Sequence, residues 1–76
     1  MVATMIAMEF LPVDKIPAHS LMVDDYINVD NDIVIVKDIY DGEDDKIVIE
    51  YLDDFDELGE LVVNYDTMLN IYMLFD

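Results

Sequence analysis

Residues 33–52 read IVIVKDIYDGEDDKIVIEYL, and this stretch decides the fold. Ile33, Val34, Ile35 and Val36 form a continuous β-branched run, the pattern of a strand covered on both faces, and it runs on to Tyr40. Asp41-Gly42-Glu43-Asp44-Asp45 follows as a hairpin loop, with the Asp-Gly pair as its signal. Lys46–Leu52 then returns as a strand that puts Ile47, Ile49 and Tyr51 on one face.

The same grammar extends outward in both directions. Tyr26–Val29 reads as a short strand joined to Ile33 by a tight Asp30-Asn31-Asp32 turn. Further upstream, Pro12 and Pro17 bracket an irregular crossing to Leu21. Before it, the alternation of Val2, Thr4, Ile6, Met8 and Phe10 predicts a first strand. Downstream, Asp53–Gly59 connects to a strand over Leu61–Tyr65, and Met68–Phe75 closes the chain after Asp66-Thr67. The connection at 53–58 also allows one helical turn. Leu52, Phe55 and Leu58 are spaced by three, Asp54 and Glu57 resemble a capping box, and Gly59 stands at the stop. With only two Gly and two Pro, Asp and Asn must supply most turns. The expectation is one all-β domain over 1–76: a small, strongly bent antiparallel barrel or sheet of five to six strands, of the SH3-like class.

Composition narrows the function. Nineteen Asp+Glu against three Lys+Arg leave a net charge of −16 in 76 residues, yet 55% of the chain is apolar. Disorder needs high charge with low hydrophobicity, so a fully disordered chain is not expected. The sign of the charge opposes direct binding to DNA, RNA or an anionic membrane. Zero Cys removes disulfides, thiolate metal sites and thiol nucleophiles. No basic residue precedes Lys15, as a signal peptide would require, and no apolar run reaches the roughly 18–20 residues of a membrane span. A cytoplasmic protein is expected.

Catalytic candidates are few. His19, the sole His, neighbours Ser20, but adjacent residues seldom converge as nucleophile and base. The acidic loops sit where water keeps carboxylates ionised, unlike the dry pocket that a general acid needs. An EF-hand alignment starting at Asp54 places Asp56 third and Gly59 sixth, then fails with Leu58 fifth and Tyr65 twelfth. No catalytic residue, metal site or cofactor is expected.

The charge is the chief signal. In an up-and-down barrel, successive connections alternate between the ends. One end would gather Asp30, Asp32, Asp53, Asp54, Asp56 and Glu57, and the other Asp24, Asp25, Asp41, Glu43, Asp44, Asp45 and Asp66. A seven-residue strand separates the ends by roughly 23 Å at about 3.3 Å per residue. The average is about one carboxylate per 1.8 Å, close to the roughly 1.7 Å charge spacing of duplex DNA. Solvation alone, or a generally acidic proteome, is the alternative reading of the charge, although a net charge of about 2–8 serves solubility. The expected partner is therefore a basic nucleic-acid-binding protein. Asp41, Glu43, Asp44, Asp45, Asp53, Asp54, Asp56 and Glu57 would meet its Lys and Arg, and Phe55 would add an apolar contact.

A second signal is apolar. The run Ile71-Tyr72-Met73-Leu74-Phe75 is apolar on both faces, which an outer strand should not be. Either it is central, or its second face meets another copy or a partner. A homodimer or partner-covered edge through 71–75 is the expectation, and an assembly or adaptor module is the alternative function.

Leu21-Met22-Val23-Asp24-Asp25-Tyr26-Ile27 resembles the Leu-x-x-Gly-Asp-x-Ile opening of small β-barrel domains, including short phage-encoded ones. The likeness spans roughly residues 21–72, with Asp24 where that family has Gly. It implies a barrel fold. In size, charge and lack of catalytic groups the chain also resembles small acidic phage inhibitors of restriction enzymes, CRISPR nucleases, DNA-repair enzymes or nucleoid proteins. That resemblance implies a non-enzymatic DNA mimic acting in the host cytoplasm.

Overall fold

The computed structural model describes residues 9–75 as six strands: β1 (Glu9–Pro17), β2 (Tyr26–Val29), β3 (Asp32–Asp41), β4 (Lys46–Leu52), β5 (Leu58–Asn64) and β6 (Met68–Phe75). One 3-10 turn, Ala18–Ser20, follows β1. All ladders are antiparallel, in the order β1-β6-β2-β3-β4-β5.

The central hairpins follow the sequence reading. Asp30 and Asn31 have φ of 51° and 70°, the two positive values of a type I′ turn, and Val29 pairs with Asp32 across it. Beyond that turn, Val34 and Val36 are buried and Ile33 and Ile35 half-buried, so β3 is covered more on one face than the other. In β4, Ile47 and Ile49 point inward and are buried, with Tyr51 half-buried beside them. The core consists of Ala18, Leu21, Ile27, Val34, Val36, Ile47 and Ile49, with Ile16, Val29, Ile39, Leu61, Val63, Leu69 and Ile71 also packed against it.

The sheet is curled but open. Three strands separate β5 from β6 in the order, about 19 Å on a flat sheet at ~4.8 Å per spacing. Yet Thr67 N donates to Asn64 O at 3.0 Å, a turn that holds its ends within about 7 Å. The sheet must fold over itself to bring those strand ends together. At that corner Ala18 N donates to Thr67 O (2.8 Å) and His19 N to Tyr65 O (3.1 Å). The closure stops there, and no β1–β5 ladder forms among the described residues.

Of the expected strongly bent barrel or sheet of five to six strands, the structure has a six-stranded antiparallel sheet, and the SH3-like barrel alternative is corrected. β1 is a poor closing strand, because Pro12 and Pro17 lack N–H donors and the register shifts between Pro12 and Asp14. The radius of gyration is 13.9 Å, against roughly 11 Å for a compact domain of this length.

Other elements differ from expectation as well. The predicted first strand lies, over residues 2–8, outside the described residues. The stretch between Pro12 and Pro17 is part of β1 rather than an irregular crossing, which prolines permit on an edge strand. β5 starts at Leu58, since Leu52 pairs with Leu58 and Tyr51 with Gly59. The helical turn that the spacing over 53–58 also allowed does not form. Asp53 Oδ1 instead accepts from Phe55 N (2.8 Å) and Glu57 N (3.0 Å), and Asp56 takes φ 58°, which shapes a hairpin loop. β6 lies between β1 and β2, but β2 pairs only with Ile71 and Tyr72, so the 71–75 run is central over those two residues and is paired by β1 alone beyond them. No helix among the described residues is long and apolar enough to cross a membrane.

Candidate functional site

Two acidic loops cap opposite ends of β4. In the first, Gly42 N donates to Lys46 O (2.8 Å) and Lys46 N to Glu43 O (3.0 Å), while Asp44 and Asp45 take φ of 53° and 61°. Asp41, Glu43, Asp44 and Asp45 are all exposed. In the second, Asp53 N donates to Glu57 O (3.0 Å) and Asp56 N to Asp53 O (3.1 Å). Asp54, Asp56 and Glu57 are exposed, Asp53 is half-buried, and Phe55 stands 83% exposed at the tip.

The two-ended grouping of an up-and-down barrel holds in part. The β2–β3 turn and the 53–57 loop share one end of the hairpins, because β3 and β4 are antiparallel neighbours. Asp24 and Asp25 do not join the 41–45 loop. Val36 N donates to Asp25 O (2.9 Å), which leaves Asp25 the whole distance from Val36 to Asp41 away, roughly 17 Å at about 3.3 Å per residue. Asp66 does approach that loop. Tyr65 N donates to Asp45 O (2.8 Å), and Asp45, Asn64, Tyr65 and Asp66 line an open depression of about 420 Å³.

A third acidic set escaped the sequence reading. Asp38 pairs with Glu50, and Glu50 pairs with Glu60, so three carboxylates stand side by side across β3, β4 and β5. Tyr40 Oη donates to Glu60 Oε2 at 3.1 Å. Desolvation, then that hydrogen bond and the charges of Glu60, Glu50 and Asp38, raise the Tyr40 phenol above its ordinary pKa. Beside this row run Tyr40, Val48 and Val62, and beyond it Leu52 opposite Leu58. Lys37 directly precedes Asp38 in this row, and Lys46, at the far end of the β4–β5 ladder, donates to Asn64 Oδ1.

The row changes the electrostatics. The loops alone are separated by the length of β4, roughly 23 Å at about 3.3 Å per residue. That is more than twice the Debye length of about 10 Å at 0.1 M salt, so they would act independently. Asp38 lies three residues from Asp41 and Glu50 three from Asp53, roughly 10 Å each by the same rise. The row therefore shortens the gaps between acidic groups along β4 to about one Debye length.

The catalytic candidates sit beside Tyr65, which borders the 41–45 loop. His19 Nδ1 is 3.5 Å from Ser20 Oγ, both exposed, and the imidazole stacks on Tyr65 with centroids 4.5 Å apart. Among the described residues no third side chain hydrogen-bonds to that pair, and no three His, Asp or Glu gather closely enough to hold a metal ion.

No protein-family model, curated protein or solved structure matches the chain. The resemblance of 21–27 to the barrel opening is therefore a local one. Asp24 has φ 78°, and the strands beyond it form a curled open sheet, so the expected likeness to a phage-type SH3-like barrel is overturned. The likeness to acidic phage inhibitors likewise reduces to size and charge.

Proposed function

We propose that this is a non-enzymatic protein that binds a basic nucleic-acid-binding protein and inhibits it by occupying the surface that otherwise holds phosphates. The observation that carries this reading is the alignment of loop 41–45, the Asp38–Glu50–Glu60 row and loop 53–57 along β3–β5. Like charges directly opposite each other cost stability, so a fold that retains Glu50 opposite Glu60 supports a use for that charge. This negative field would speed encounter with a cationic groove, and Phe55, Leu58 and Val62 would slow release.

A second reading is an assembly module that packs against another copy through the 71–75 strand. It is favoured by Met73, 49% exposed, which pairs with Leu11, 45% exposed. Substitution separates the two. Changing the Asp and Glu of 41–45 and 53–57 to Asn and Gln abolishes partner binding under the first reading and leaves it intact under the second. Met73→Ser does the reverse.

A further inference from the structure

The sheet has two edges, and they are unlike. β1 is blunted by Pro12, Pro17 and its register shift, devices that discourage a further strand from pairing. β5 has none of these. It runs Leu58–Asn64 without proline, its ladder to β4 is unbroken from Lys46↔Asn64 to Leu52↔Leu58, and no described backbone group pairs with its outer side over 58–63. Its outward side chains alternate Leu58 (66% exposed), Glu60, Val62 (53% exposed) and Asn64.

We infer that the β5 edge accepts an extended segment of a basic partner protein as a seventh, antiparallel strand. Backbone groups of β5 would continue the ladder, while outward side chains read the incoming strand by cross-strand pairing. The complementary segment has apolar residues opposite Leu58 and Val62 and a Lys or Arg opposite Glu60. Its flanks meet the 53–57 loop at one end and Asp66 at the other, so basic residues there are matched too. A second copy is the wrong occupant. Antiparallel pairing of two β5 edges would bring the 53–57 loop of each chain against Tyr65-Asp66 of the other, in molecules that each carry −16. The inference rests on the reading that the partner is basic, and it adds the mode of engagement.

The test uses the heptapeptide Lys-Thr-Val-Thr-Lys-Thr-Val, which in antiparallel register sets Val opposite Val62 and Leu58 and Lys opposite Glu60, and the same peptide with its backbone amides N-methylated. Both are titrated into the full chain at low salt by fluorescence anisotropy, with amide hydrogen exchange followed over β5. The inference expects the first peptide to bind and to protect β5 amides, the methylated one to bind about tenfold or more weakly, and Val62→Lys to abolish the difference. Equal affinities without β5 protection overturn the edge and leave the basic-partner reading standing. Failure of both peptides to bind overturns that reading as well. Concentration-dependent self-association of the free protein that Val62→Lys removes overturns the choice of occupant.

Discussion

Asp24, Asp30, Asp44, Asp45 and Asp56 hold positive φ, the backbone region that glycine usually fills, while neither glycine does. Their acidity is thus partly a turn requirement, because Asp and Asn tolerate this region better than other side chains. The two roles can be separated. Asp45→Asn keeps the turn and removes one mutually repelling charge, so thermal denaturation should show stability unchanged or slightly raised. Asp45→Val should lose about 1–2 kcal/mol, the cost of a left-handed residue without that tolerance. Gly59 is needed for space instead: a Cβ there would lie 2.6 Å from Tyr51 Oη, with the ring itself nearer. Gly59→Ala should therefore cost about 1–3 kcal/mol by chemical denaturation.

Elements were legible where a turn fixed the parity. The Asp-Asn-Asp signal set the β2–β3 turn, and the Asp-Gly pair located the β3–β4 hairpin although Asp44 and Asp45 hold its left-handed positions; Ile47 and Ile49 then fall inward as alternation requires. The acidic row was hidden by a bulge. Simple alternation gives Asp38 the same face as Val34 and Val36, but the register shifts between Val36 and Asp38, which sends Asp38 outward and Ile39 inward. Nor can local pattern reveal that β6 inserts between β1 and β2, since that pairing is set by long-range packing. At this scale the row makes a discriminating prediction. Glu50→Lys replaces a like-charge pair opposite Glu60 with an attractive one, so denaturation should show about 0.2–1 kcal/mol gained. The same substitution should weaken partner binding. Stability and binding moving in opposite directions would mark the row as kept for function.

The whole molecule bears its charge at a cost. Net −16 on a domain of 13.9 Å radius of gyration repels itself, and salt shortens the range of that repulsion. Melting temperature should rise between 10 mM and 500 mM NaCl; an unchanged value would mean that the carboxylates are too dispersed to interact. Partner binding should respond to salt in the opposite sense, because a charge-matched interface is screened by the ions that stabilise the free protein. The decisive measurement is displacement of labelled duplex DNA from a panel of basic nucleic-acid-binding proteins, read at rising salt for the native chain and for its 41–45 and 53–57 Asn/Gln variant. The account predicts that the native chain displaces DNA from at least one of them, with an affinity that falls steeply as salt rises, and that the neutralised variant does not. Failure to displace DNA from any of them at low salt, or equal displacement by the neutralised variant, would contradict it.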